Sequence, residues 1–191
     1  MLTKSNVSII GKHGSLAAAL EKKLIADYHV SSYDKKEYNF LNKDSIVALA
    51  NKIHSSDIII NCSGTFDKHD AWDSFLINAV APAYLLEQLT LHKSTAHVIM
   101  IGSHSSMWTS WPGISFSRLM YNNTKQTLHS VVTGLSHSEC SNLKLSIINC
   151  SKFQSSMNNL QGYPVDIVVD QILHVMNSPI PILVEEFSSY K

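Results

Sequence analysis

Arginine is almost missing from this chain of 191 residues: Arg118 stands alone among 15 basic residues, the rest being lysines. Acidic residues also number 15, so the formal net charge is zero. Without a basic surplus, or arginines to fork onto phosphates and base edges, the chain has no electrostatic footprint for nucleic acid. No stretch approaches the ~18 uninterrupted apolar residues of a membrane-spanning helix. The opening MLTKSNVSII lacks the apolar core and small-residue cleavage site of a secretory signal. Only three cysteines occur, Cys62, Cys140 and Cys150, without metal or redox spacing. They are expected to be reduced thiols of a cytoplasmic protein. The ten histidines form no H-x-H or HExxH pattern, so no metal site is expected.

The chain does hold two alternating textures. Short, nearly continuous apolar runs recur as VSII (7–10), DIIIN (57–61), HVIMI (97–101), LSIIN (145–149) and IPILV (180–184). Runs this rich in isoleucine and valine are those of strands buried on both faces. Between them lie segments of helical period. SLAAALEKKL carries Leu16, Leu20 and Leu24 on one face, and DSIVALANKI carries Ile46, Leu49 and Ile53 behind Asp44 or Ser45 as N-cap. Residues 70–91, 118–137 and 163–176 also read as helices, with Pro82 expected to kink or break the first. Strand, helix, strand, helix predicts an α/β fold: a three-layer, doubly wound parallel sheet of about seven strands, in one domain over residues 1–191.

The first strand runs into IIGKHGSLAAAL, with Gly11, Gly14 and then Ala17. In a dinucleotide fold the first glycine permits a tight turn, the second admits the pyrophosphate, and a small third residue lets helix pack on strand. Gly11, Lys12, His13, Gly14, Ser15 and Leu16 are therefore candidate phosphate-cradle residues, with backbone amides and helix dipole holding the anion. A second strand, HVSSY, ends at Asp34. Its carboxylate is placed either to accept the hydroxyls of an adenosine ribose or to sit in a solvated turn. Lys12, His13, Lys35 and Lys36 suit a 2′-phosphate instead, which leaves NAD and NADP both open.

Four further segments follow in order, and with the glycine turn they resemble the short-chain dehydrogenase/reductase family. NCSG (61–64) is similar to the family's Asn-Asn-Ala-Gly turn, marking Asn61, Cys62, Ser63 and Gly64 as cofactor contacts. AWDSFLINAVAPAYLLEQL is similar to its next helix, with Asn78 on the active-site asparagine. HVIMIGSHSS resembles the strand ending in the substrate-binding serine, and YNNTK (121–125) matches the Tyr-x-x-x-Lys signature. LSIINCSKFQSSM resembles the sixth strand and the loop beside the nicotinamide, where Cys150 and Ser151 stand in place of the family's Pro-Gly. The resemblance covers residues 7 to about 160. In the N-terminal half, the glycine spacing and the stretch ending at NCSG look closer to the sugar-nucleotide reductase branch. Only one helix fits between the second and fourth strands, the loop 151–163 is short, and nothing near residue 191 resembles the substrate domain of the family's extended members.

Residues i and i+4 of a helix share a face, so Tyr121 and Lys125 can point into one cleft. A nearby ammonium favours phenolate and is expected to lower the phenol's pKa from near 10. The resemblance implies that Tyr121 is the acid/base, that Lys125 also binds the nicotinamide ribose, and that Ser103 donates to the carbonyl oxygen. It further implies that Asn78 holds a water linking Lys125 to solvent. Ser105 competes with Ser103 for the serine role. Met107, Trp108, Trp111 and Phe116 form either an apolar substrate wall or a dimer contact. The function implied is an NAD(P)-dependent oxidoreductase acting on a small carbonyl or secondary alcohol. As in similar proteins, a homodimer or homotetramer is expected. A non-catalytic NAD(P)-binding sensor is the alternative; a flavodoxin-like interaction domain would leave Asn78, Ser103, Tyr121 and Lys125 unexplained.

Overall fold

The computed structural model describes residues 4–66, 70–107, 113–139, 141–155, 161–182 and 185–186. Strands β1 (Asn6–Ile10), β2 (His29–Tyr33), β3 (Ile58–Asn61), β4 (His97–Ile101), β5 (Lys144–Asn149) and β6 (Glu185–Glu186) form one parallel sheet. The spatial order is β2-β1-β3-β4-β5-β6. Six strands are thus described where about seven were expected. A single crossover helix joins β2 to β3, so β2 ends the sheet. The last strand sits slightly beyond the run 180–184, of which Leu183 and Val184 lie outside the described residues, as do Trp108, Trp111 and Cys140.

Alternation along each strand explains the uninterrupted apolar runs. Ile10, Ile59, Val98, Met100, Leu145 and Ile147 face one layer, with helices α2 (Lys43–Ile53), α4 (Ala81–Leu91) and α5 (Phe116–Ser136). Val7, Ile9, Ile60, Ile99, Ile101 and Ile148 face the other, with α1 (Ser15–Leu24) and α6 (Val165–Asn177). Both faces are covered, so every second residue must also be apolar. The chain leaves β1 first towards β2 and then towards β3 on its other side. That reversal opens a crevice beyond the carboxyl ends of β1 and β3, where doubly wound sheets bind ligands.

Two helix details differ from the sequence reading. The N-cap of α2 is Asn42, whose side-chain oxygen accepts from the N–H groups of both Asp44 and Ser45. Those two residues already belong to the first turn, because a cap must sit two or three positions before the amides it satisfies. The segment before Pro82 is a short α3 (Ala71–Phe75) that widens into a π turn over Leu76–Val80 and runs on as α4. Pro82 has no N–H to offer the carbonyl of Asn78. The chain accommodates this by a five-residue bond from Ala81 N–H to Leu76 O. Among the described residues no helix is long and apolar enough to cross a membrane.

His97 begins the central strand β4 and is buried, with Nε2 2.9 Å from Ser146 Oγ. Burial, with Lys144 beside it, pulls its pKa down to about 4 against a hydrogen bond from the ring to the Met176 carbonyl. An unfolded histidine titrates near 6.5, so the folded protein binds that proton less well. Stability is full above pH 6.5 and is lost as the pH falls towards 4. Urea unfolding should show about 2 kcal/mol less stability at pH 4.5 than at pH 7 from this residue. His97→Gln should remove that part of the difference; an unchanged pH dependence would refute the assignment.

Candidate active site

The crevice holds a cavity of about 950 Å³, near the upper end of the ~300–1,000 Å³ usual for cofactor and ligand sites. Its walls come from the start of α1, the turns after β3, β4 and β5, one face of α5 and the loop after β5. Gly14, Ser15, Leu16, Cys62, Ser63, Gly64, Ser103, Tyr121, Lys125, Cys150 and Ser151 all line it. Residues picked from five separate segments therefore converge on one space.

At the glycine turn, Gly11 adopts φ of 100°, and its amide and that of Lys12 both donate to the Tyr33 carbonyl at 2.9 and 3.0 Å. A Cβ there would stand 3.1 Å from the backbone of Cys62 and Ser63, so a side chain is excluded by both conformation and space. The turn delivers Gly14 as N-cap of α1 with no side-chain cap and no acidic residue in the first turn. The first amides of α1 thus face the cavity uncovered, the arrangement that binds anions.

Lys12, His13, Asp34, Lys35 and Asn61 do not line the cavity. Asp34 Oδ1 accepts from the N–H groups of Lys36 and Glu37, and Oδ2 meets His13 Nε2 at 2.7 Å. The Glu37 bond first, then those of Lys36 and His13, hold its carboxyl below the usual range. Both oxygens are engaged, so a ribose diol at this point would have to displace His13. Asn61 acts beneath the NCSG turn: Oδ1 accepts from Ser63 N–H at 3.0 Å and from its hydroxyl at 2.5 Å.

Tyr121 and Lys125 share the inward face of α5, one turn apart. Lys125 is 5% exposed and donates from Nζ to the Ile101 carbonyl at 3.1 Å, at the end of β4. Burial lowers its pKa to about 8, while the thiols of Cys150 and Cys62 act in the opposite sense. Burial in turn pushes the Cys62 thiol up and that of Cys150 up to about 12, so neither is a reactive thiolate. Among the described residues Cys62 and Cys150 form no disulfide.

Ser103, at 9% exposure, hydrogen-bonds the Tyr121 phenol, and its Oγ accepts from Ser105 N–H at 3.2 Å. Ser105 reaches the cavity wall, but Ser103 is the serine beside the phenol. The expected depression of the Tyr121 pKa is not found. Burial raises it, against the Ser103 hydrogen bond and the charge of Arg118, and Lys125 is not among the groups that shift it. Lys125 spends its ammonium on Ile101, and desolvation of the phenol prevails. The Tyr121 phenol of the free protein is therefore held neutral.

Asn78 is buried next to this group. Its Oδ1 accepts from Thr65 N–H at 2.8 Å and its Nδ2 donates to Thr65 O at 2.7 Å, with a longer contact to Thr124 Oγ1. The π turn swings the carboxamide against the loop after β3, which it clamps at both backbone groups of one residue. Lys125 is close by: a Cβ on Gly64 would stand 3.3 Å from Asn78 Oδ1 and 3.5 Å from Lys125 Nζ. The described contacts of the Asn78 side chain thus fix the loop after β3.

Sequence reading missed several wall residues. The Phe66 ring meets Tyr121 edge-on, centroids 5.2 Å apart, and the Arg118 guanidinium lies over its face at 5.2 Å. Lys152 donates to Gln161 at 2.9 Å, and both line the cavity with Phe153 and Ser155. For Arg118 a signal existed: it precedes Tyr121 by three positions and so shares its helix face. Gly102, between Ile101 and Ser103, was also passed over. A Cβ there would fall 2.2 Å from Asn149 Oδ1, which is buried and has no partner among the described residues.

No family model matches the sequence, and no curated protein matches it either. Solved structures do match. A short-chain dehydrogenase from Burkholderia cenocepacia in complex with NADP superimposes over 96% of this chain and 88% of its own, with TM-score 0.78 and 13% identity. A 3-alpha-hydroxysteroid dehydrogenase from Pseudomonas, complexed with NADH, covers 94% and 95%, with TM-score 0.75 and 13% identity. The dTDP-4-dehydrorhamnose reductase from Bacillus anthracis in complex with NADP is 20% identical over 79% of this chain, with TM-score 0.63. The fold is that of these dehydrogenases. Both likenesses drawn from the sequence, to the short-chain family and to the sugar-nucleotide reductase branch, recur in it. The chain spans 55% of the length of the rhamnose reductase.

Holding an ammonium dry at pH 7 opposes folding, because the folded pKa of Lys125 lies below its ordinary 10.5. That penalty is full below pH 8 and is relieved as the pH rises towards 10.5. Lys125→Met should therefore raise stability at pH 7, by on the order of 1–3 kcal/mol in urea unfolding. A less stable variant would show that the lysine holds the fold instead of serving the site.

Proposed function

We propose that this protein is an NAD(P)-dependent oxidoreductase of short-chain dehydrogenase/reductase type, reducing a carbonyl or oxidising a secondary alcohol. The observation that carries this reading is the meeting of Ser103, Tyr121 and Lys125 in the cavity at the strand ends, opposite the uncapped start of α1. The residues fit a nicotinamide dinucleotide. The amides of Ser15 and Leu16 would hold the pyrophosphate behind Gly14, and Lys125 would bind the nicotinamide ribose. The Cys62–Gly64 turn and Cys150–Ser151 would flank the rest. When bound, the cofactor supplies or accepts the hydride.

The protein's own part is to orient the carbonyl and manage one proton. Ser103 donates a hydrogen bond to the carbonyl oxygen, where charge develops. Tyr121, held protonated by burial, gives its proton to that same oxygen, which suits the reducing direction. The phenolate that remains keeps the Ser103 hydrogen bond and the Arg118 charge beside it, and solvent then restores the proton. Asn78 keeps the loop carrying Thr65 in place beneath the site.

The surface of α3, the π turn and α5 supports self-association. Trp72 and Phe116 are each about 70% exposed, and Ala79, Val80, Ala83 and Tyr84 line a shallow apolar hollow. We assign this face to a homodimer of a cytoplasmic enzyme. Light scattering at micromolar concentration should give twice the chain mass, and a monomer would refute the pairing.

Fluorescence titration with NADH and NADPH, followed by a carbonyl and alcohol panel, tests the activity. Tyr121→Phe should bind the cofactor within a few-fold of wild type and lose turnover by ~10²–10⁴-fold. Cofactor binding with no turnover of any substrate would favour the sensor reading. Turnover unaffected by Tyr121→Phe would remove the mechanism, and no binding of either cofactor would remove the function.

A further inference from the structure

The cavity carries charge of one sign. Arg118, Lys125 and Lys152 line it, and among the described residues no aspartate or glutamate does. In a chain of zero net charge this is a local separation of charge, and it favours anionic ligands. The dinucleotide accounts for part of it, since the start of α1 and Lys125 face that ligand. It does not account for Arg118, which rises from α5 beside Tyr121, on a different element from the glycine turn.

Arg118 is held ready for a ligand. Its guanidinium is stacked over Phe66, which is itself packed edge-on against Tyr121. A guanidinium so placed can bond a planar carboxylate by two parallel hydrogen bonds. Among the described residues Arg118 has no carboxylate partner of its own. Side chains three apart on a helix lie about 5–6 Å from each other at Cβ. Tyr121 and Arg118 also pack on the same Phe66 ring, so a ligand whose carbonyl oxygen rests on Ser103 and Tyr121 has the guanidinium beside it. A single fork beside one phenol matches the single negative charge of a carboxylate.

We propose that the substrate is a short oxoacid, its carbonyl held by Ser103 and Tyr121 and its carboxylate by Arg118. This rests on the oxidoreductase reading and adds the substrate class to it. Arg118 is then the residue that selects the acid over its uncharged analogue. Because it is solvent-exposed and bonded to no core group, its replacement leaves the fold intact, which circular dichroism would verify.

The test uses oxamate, an unreactive oxoacid mimic, and its uncharged ester methyl oxamate, titrated calorimetrically into protein saturated with NADH or NADPH. Wild type should prefer oxamate by tenfold or more. Arg118→Met should abolish the preference while binding the ester as wild type does, and Arg118→Lys should keep part of it. Equal binding of acid and ester by wild type, or an undiminished preference in Arg118→Met, overturns the proposal while leaving the oxidoreductase reading in place. Failure to bind either nicotinamide cofactor, read separately by fluorescence, overturns both.

Discussion

A parallel sheet covered on both faces has little room for polar groups in its body, and that constraint governs where chemistry sits in this protein. Here the two hydrophobic layers take most side chains of β1, β3, β4 and β5, and the polar exceptions within the sheet, Ser8, His97 and Ser146, are hydrogen-bonded. At the carboxyl edge the apolar pattern breaks: Asn61 and Asn149 close β3 and β5, and Ser103 follows β4. The reversal of winding at β1 then parts the loops above that edge and opens the crevice. Everything assigned to function stands in or around it.

Within the crevice, burial decides the proton chemistry more than proximity does. Lys125 is dry enough to titrate near 8, and Tyr121 is dry enough to stay a phenol, although they are neighbours on one helix face. The lysine's bond to Ile101 O ties its charge to the end of β4. The phenol's bond with Ser103 and its edge contact with Phe66 hold it at the crevice wall. A protonated tyrosine beside a hydrogen-bonding serine is an arrangement for giving a proton to an oxygen. Arg118, stacked on the same Phe66, adds a charged end to that wall.

The layered fold was legible because the apolar runs at 7–10, 57–61, 97–101 and 145–149 admit no solvent-facing side. Tyr121 and Lys125 were legible because four positions on a helix always share a face. The cap of α2 was misread as Asp44 or Ser45, since which oxygen reaches which amide depends on where the first turn closes. Asn78 was placed in the site, but its partner Thr65 was not foreseen. That contact exists because the helix widens by one residue before Pro82. The direction of the Tyr121 shift was also misjudged, because spacing reveals a neighbouring charge and not the burial that opposes it. Phe66 lay outside any motif, and only the folded chain brings it between Tyr121 and Arg118.

The central claim is that this crevice is a nicotinamide-dinucleotide site with Tyr121 at its reacting end. A crystal structure of the protein soaked with NADH or NADPH tests it most directly. The account predicts pyrophosphate on the amides of Ser15 and Leu16, a ribose on Lys125, and the nicotinamide face turned towards Tyr121 and Ser103. A dinucleotide bound elsewhere, or bound with its nicotinamide turned away from Tyr121, would contradict it.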